Sequence, residues 1–390
     1  MHLIYLFFFL TLTLYSNELT YLNTLRQKSG LIPFKIQNQL KQSAKKHAKY
    51  LIKYQTNSHY EQSKHKRTPS LRAINYGYAS KDIMENISIN TKNAHESIDT
   101  LFSAIYHRFV FLDFSKNEIG IGHDTAYKDK KIHSAFVYDL GSSSLRLLCK
   151  QPHNKKNGFF YIKNICKNKN KLIPKKLYFE KEKKLNKKNH PIVLYPYNHA
   201  KDISPVFYTE HPHPLPGSLV SGYPISIQFN PAYYQKIQLK SFKLFDENFK
   251  EIKKYKILTH KNDTNHRLNT LQFAFMPLER LKYNQTYHVK VSAIANGKYI
   301  QKNWEFKTKN ILLPFYRIDT NIAHLPLPHE KKFVLYFVPK HNKDTLKQIK
   351  HSNTLKVKYL DLNTLEVTIL KRKVQSTYHI YSKHKKVYLK

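Results

Sequence analysis

Apolar side chains recur every three or four positions along the first part of the chain and mostly every second position beyond Pro214. Leu19, Leu22 and Leu25 repeat every three, Gly30 and Pro33 break the run, and Ile36, Leu40, Ala44, Ala48 and Leu51 form one apolar stripe. Residues 18–54 are therefore predicted to be two helices, with His47 beside the stripe as a core-edge histidine satisfied by its neighbours. Thr68-Pro69-Ser70 can open a short helix and Gly77 can close it. After Glu85-Asn86, the alternation of Ile87 and Ile89 fits a strand start, and from Ser97 the residues Ile98, Leu101, Phe102, Ile105 and Phe109 line a helical face. Strands over Glu118–Gly122 and Ser134–Tyr138 then complete an α-β-α pattern.

The texture changes after Cys166. Lys and Asn dominate from Lys163 to Lys188, which reads as a solvated linker, and Pro191–Pro205 reads as a hinge. From Pro214 to Lys309, alternating strands are predicted over Tyr223–Phe229, Gln238–Phe245, Leu271–Phe275, Thr286–Ile294 and Asn303–Thr308, the pattern of a β-sandwich. Further alternation at Phe333–Val338, Leu355–Leu360, Leu365–Leu370 and Val374–Tyr381 predicts a small β-rich end module. The expected fold class is α+β. Its units are a signal segment (1–16), an α-β-α domain (17–150), a disulfide loop and Lys-rich linker (151–213), a β-sandwich (214–309) and a β-rich module (310–390).

Two features set the compartment. The apolar run Leu3–Leu14 is shorter than the roughly twenty residues a bilayer span needs, so Met1–Ser16 reads as a secretory signal peptide or, uncleaved, as an anchor; no other transmembrane segment is expected. In an exported chain, two cysteines spaced as Cys149 and Cys166 are favour a disulfide; a two-thiolate metal site would lack histidines at zinc-finger spacing. The formal net charge is +41, yet only 9 of the 67 basic residues are Arg. Sequence-specific nucleic-acid readers lean on Arg forks, so no specific nucleic acid is expected; a polyanion of the envelope remains a partner class.

The candidate chemistry sits in three islands, Ser58-His59-Tyr60-Glu61, Met84-Glu85-Asn86-Ile87-Ser88 and Ala104-Ile105-Tyr106-His107-Arg108, followed by Glu118-Ile119-Gly120-Ile121-Gly122. Imidazoles can ligate a divalent metal or move a proton, and a carboxylate can orient them. In this order, with Leu22-Asn23-Thr24-Leu25-Arg26, Gly30–Phe34, Ala44–Ala48 and Tyr138-Asp139-Leu140-Gly141, the islands resemble the CAP superfamily of cysteine-rich secretory, antigen 5 and pathogenesis-related proteins, in its bacterial form. The resemblance covers roughly a third of the chain and implies an α-β-α sandwich with a cleft lined by two His and two acidic residues. His59 matches the first His, Glu85 the first Glu, and His107 the second His in the form where Arg follows it. The second Glu falls at Ala104, because Glu96 and Asp99 sit too early, so this chain departs from the pattern there. Phe242–Asp246, Pro277–Leu281 and Trp304–Thr308 resemble bacterial Ig-like modules.

Other site classes lack their motifs. His95-Glu96-Ser97-Ile98-Asp99 ends in Asp where a zincin needs His, and Gly141–Ser144 lacks nucleophile-elbow spacing. No Walker or dinucleotide glycine pattern occurs, and His211-Pro212-His213-Pro214 reads as extended linker. The leading expectation is an exported, envelope-associated binding protein with an unidentified envelope or extracellular ligand. Its His59, Glu85 and His107 cleft can take a divalent cation, zinc or manganese, on His59 and His107. One rival is a metal-dependent hydrolase with Glu85 as general base, and another is a polyanion binder acting through its lysines. Whether the chain is an enzyme stays open at this point, as does a third alternative in which His59, Glu85 and His107 form a buried polar network without chemistry.

Overall fold

A computed structural model describes residues 18–153, 158, 160–372 and 377–390. The signal segment 1–16 lies outside them, as does part of the strand expected over Val374–Tyr381. Among the described residues no helix is long and apolar enough to cross a membrane.

The chain is mixed α and β. A first helix, α1, covers described residues 18–28. Then follow β1 (Lys35–Ile36), α2 (Asn38–Tyr54), α3 (Pro69–Asn75), β2 (Met84–Ile89), α4 (Ala94–Ser103), α5 (Ile105–Phe111), β3 (Glu118–Thr125), β4 (Ser134–Gly141) and α6 (Ser143–Lys150). The four strands make one sheet in the order β1-β3-β4-β2, with β1 parallel to β3 and the other pairs antiparallel. Alternation along β4 explains the layering. Ala135 and Val137 pack with Ala44, Ala48 and Leu51 of α2, whereas Phe136, Tyr138 and Leu140 face Leu22, Ile98 and Phe102 on the other side. The stripe read from the sequence thus buries against one face, and an α-β-α sandwich results.

Gly120 and Gly122 let α2 lie directly on β3. A Cβ at Gly120 would stand 2.0 Å from the Leu40 carbonyl carbon, and one at Gly122 2.2 Å from that of Ala44. Backbone cannot yield at that distance, so glycine is required there. Thr68 caps α3 by accepting from the Leu71 N–H, with Pro69 in the first turn.

The helix expected from Ser97 through Phe109 is instead two, broken at Ala104, whose backbone is extended (φ −85, ψ 116). The physical reason lies over a hundred residues away. The Glu210 carboxylate accepts from the N–H groups of Ile105 (2.7 Å) and Tyr106 (3.1 Å), satisfying the amides that the break frees.

The stretch 151–213 is more structured than its composition suggests. Within it lies α7 (Lys175–Asn186), whose Leu185 is buried and whose Leu177 and Tyr178 pack on a cluster containing Cys149, Cys166 and Ile173. Lysine is a good helix former, and a few apolar contacts suffice to seat it. Strands Ile192–Tyr195 and Ala200–Ile203 from the same stretch pair with Ile225–Phe229 and Lys298–Thr308.

Those pairings complete two four-stranded sheets. One runs Tyr255–Leu258, Gln272–Pro277, Ile225–Phe229, Ile192–Tyr195; the other runs Ile237–Phe245, Thr286–Ala295, Lys298–Thr308, Ala200–Ile203. They share a core in which Phe242 meets Phe275 and Trp304 at ring-centroid distances of 5.7 and 6.2 Å. The same apolar cluster continues into the first unit, where Phe102 lies 4.7 Å from Tyr195. The strands between Phe315 and Leu389 form two further four-stranded sheets around their own core, including Phe333, Leu335, Val367, Ile380 and Val387.

Cys149 and Cys166 are bonded to each other, with Cα atoms 5.4 Å apart. The bond closes a loop across 17 positions. By the chain-entropy argument such a loop contributes about 3 kcal/mol. The double Cys149→Ser, Cys166→Ser variant should therefore lose about that much in urea unfolding, and a loss close to zero would show that the neighbouring apolar cluster holds the segment unaided.

Candidate functional site

The site is built where α2, α3, β2 and β4 meet. In the antiparallel register Glu85 on β2 stands opposite Asp139 on β4, and the alternation of β4 turns Asp139 to the α2 face with Ala135 and Val137. Both acidic side chains are buried. Arg72 from α3 is also fully buried; its Nη2 donates to Glu85 Oε2 at 2.5 Å, while its Nη1 donates to the carbonyl oxygens of His59 (2.9 Å) and Lys66 (3.3 Å). One guanidinium therefore fixes both the carboxylate and the loop that carries His59.

His59 donates from Nδ1 to Glu85 Oε1 at 2.8 Å. Its ring is 45% exposed, whereas the Glu85 side chain beneath it is 1% exposed. The imidazole thus presents its other edge to solvent while its orientation is set from below. His47, read as a core-edge histidine, is wholly buried: Nδ1 meets Glu61 Oε1 at 2.8 Å, Nε2 meets the Ser58 carbonyl at 2.9 Å, and Glu85 Oε1 lies 3.9 Å away.

Burial alone would raise the Glu85 pKa, but the His59 hydrogen bond, the Arg72 and His47 charges and a hydrogen bond from Asp139 outweigh it and hold the group well below the usual carboxylate range. Asp139 is pushed the opposite way, first by burial and then by the Glu85 charge beside it. The Ser43 hydroxyl beside Asp139 lowers its pKa only in part. These opposed shifts favour a proton on Asp139 over one on Glu85.

A folded-state pKa raised above the unfolded value gives stability that is complete below the ordinary aspartate range and is lost as pH rises through the folded pKa. Asp139→Asn keeps a donor to Glu85 and removes that loss. Urea unfolding from pH 4 to 8 should show the variant as stable as the wild type or more so, with the gap widening toward pH 8. A loss of about 2 kcal/mol at every pH would mean that the wild-type group is an anion.

His107 is placed differently. Its Nδ1 donates to Glu210 Oε2 at 2.9 Å, and its carbonyl accepts from the Asn86 amide at 2.9 Å. The two imidazoles expected to share a metal thus each lean on a different carboxylate, His59 on Glu85 and His107 on Glu210. Among the described residues no group of three or more His, Cys, Asp or Glu side chains stands together as a metal-holding set. Glu210 supplies a second acid beside the position where Ala104 lacks one, from a segment read as linker. Sequence reasoning named His59, Glu85 and His107 but missed Arg72, Asp139 and Glu210. Asp139 lay inside a quoted motif and could have been found from its register opposite Glu85; Glu210 left no local signal.

No curated protein matches the chain. Among solved structures, an outer surface protein of Borrelia burgdorferi is 20% identical over 32% of this chain and 87% of its own, with a TM-score of 0.29. An extracellular protein of Bacillus anthracis containing an SCP domain is 17% identical over 33% of this chain, with a TM-score of 0.29, and the match spans 40% of that protein. The family model that matches is that of the cysteine-rich secretory protein family, CAP, over residues 19–138, which hold α1 to α5, the four-stranded sheet as far as Tyr138 in β4, and His59, Glu85 and His107. Residues 19–138 of this chain are a CAP domain.

Proposed function

We propose that the chain is an exported bacterial envelope protein whose CAP domain binds a polar ligand at the free edge of His59, with the sandwich built from residues 192–308 serving as an Ig-like spacer. The observation that carries the reading is the half-exposed imidazole fixed from below by a buried, Arg72-anchored Glu85. With Nδ1 directed at Glu85, the ring leaves Nε2 as the edge open to a ligand, which suits a ligand hydroxyl, an ammonium group or a divalent cation. Export is supported by the disulfide, which persists in oxidising compartments, and by the apolar run Leu3–Leu14.

Binding is favoured over hydrolysis because Glu85 is a poor general base. Both of its oxygens are engaged and its anionic form is strongly stabilised, so it has little tendency to take a proton. The test passes separated peptidoglycan, lipopolysaccharide and outer-membrane protein fractions over the immobilised full chain and its His59→Ala variant. One fraction should be retained by the wild type and released by the variant. Equal retention by both proteins would sink the reading, and a fraction that leaves chemically cleaved would transfer it to the hydrolase alternative. Zinc and manganese titrated by calorimetry into the wild type, His59→Ala and His107→Ala would locate any cation: loss of heat in His59→Ala alone places it at this edge.

A further inference from the structure

A cleft of about 910 Å³ opens on the seam between the sandwich and the C-terminal unit, far along the chain from the CAP site. Its size falls in the range of small-ligand sites, roughly 300–1,000 Å³. Three observations define its chemistry. Part of the lining is apolar, with Leu215, Val220, Leu278 and Val338 contributing. One end carries a cluster of rings: Phe315, 39% exposed, lies 5.7 Å from Tyr283 and 5.9 Å from Tyr336, inclined to them by 66° and 35°. The charged residues of the lining are almost all cations.

Those cations fall into two sets. Lys254, Arg280 and Arg317 are neutralised by Glu279, Asp361 and Asp319. Among the described residues, the ammonium groups of Lys256, Lys282 and Lys340 form no ion pair, although all three line the cleft. Three uncompensated positive charges beside apolar and aromatic surface suit a ligand with anionic groups on a CH-rich frame.

We propose that this cleft binds an acidic oligosaccharide, one bearing carboxylate or sulfate groups on its sugar rings. The anions would meet Lys256, Lys282 and Lys340, and the CH faces of the sugars would pack on Phe315 and the apolar wall. Two other occupants fit less well. A nucleic-acid strand stacks successive bases on successive ring faces, but the guanidinium of Arg280 lies 4.5 Å from the Tyr336 centroid and 5.2 Å from that of Tyr283, which leaves Phe315 as a single platform. A lipid acyl chain would have to strip water from the lysine ammonium groups without replacing their hydrogen bonds. The inference is independent of the CAP site and of what His59 binds.

The test uses the full chain in calorimetry at physiological salt, with an oligogalacturonate octamer and a sulfated dextran oligomer as probes and neutral dextran and a thymidine decanucleotide as controls. One or both acidic sugars should bind, at least tenfold more tightly than either control. The triple variant Lys256→Gln, Lys282→Gln, Lys340→Gln should weaken that binding tenfold or more, and Phe315→Ala should weaken it further. The comparison triple Lys176→Gln, Lys181→Gln, Lys184→Gln on α7 should leave it unchanged. Equal weakening by the two triples would reduce the effect to diffuse attraction by the lysine-rich surface and overturn the proposal. So would decanucleotide binding as tight as that of the acidic sugars, or failure of both sugars to bind.

Discussion

Replacing Arg72 by alanine is expected to destabilise the CAP domain by about 3–5 kcal/mol, the usual cost of removing one partner from a buried ion pair. The side chain is wholly buried, pairs with Glu85 at 2.5 Å and lies 3.8 Å from Glu61. Its loss would leave the buried Glu85 anion without a guanidinium partner, and would free the His59 carbonyl that Arg72 now holds. Urea unfolding followed by a probe in the first 150 residues would measure it. The double variant Arg72→Ala, Glu85→Gln should recover part of the loss, because it removes the stranded charge. A change under about 1 kcal/mol in the single variant would show that water enters and replaces the guanidinium.

Asp361→Ala should have a comparable effect at the other end of the chain. Asp361 lies on the strand Leu355–Asp361 of the C-terminal unit, and its carboxylate accepts from Arg280 Nη1 and Nη2 at 3.2 and 3.0 Å, from the Tyr208 hydroxyl at 2.7 Å and from the Tyr283 hydroxyl. Burial would raise its pKa, but the Arg280 charge and these hydrogen bonds hold it below the usual range. One carboxylate thus ties two tyrosines and a buried arginine of the preceding segment to the C-terminal unit. Removing it strands the Arg280 cation, whose side chain is 5% exposed, at a cost of about 3–5 kcal/mol. Hydrogen exchange should quicken across residues 315–389 and along the seam while the sheet holding Glu85 keeps its protection. Uniform protection in the variant would mean that the two units are held by their other contacts, such as the bonds from the Leu219 and Val220 amides to the Asn342 carbonyl.

Much of the architecture was legible because it depends on local periodicity. The stripe from Leu40 to Leu51, the cap at Thr68 and the alternating strands at 225–229, 237–245 and 286–295 are choices that neighbouring residues settle among themselves. The cysteine pair was legible for a similar reason, since two cysteines at this spacing leave few options. The His59 and Glu85 half of the site was legible through motif order, which brings family geometry with it.

The rest was decided by contacts between distant segments. Ala104 gives no sign that a helix breaks there, because the cause is the Glu210 carboxylate arriving from the stretch read as linker. Composition marked residues 151–213 as solvated, yet Ile192–Tyr195 and Ala200–Ile203 are strands because unpaired sheet edges were available to them. The raised pKa of Asp139 depends on burial opposite Glu85, a register that only the folded sheet defines. The sequence by itself determined the helices and strands with strong local periodicity and three of the side chains that could do chemistry, His59, Glu85 and His107. Tertiary structure decided which carboxylate meets which base and where a charge loses its water, because both depend on long-range packing that no local pattern encodes.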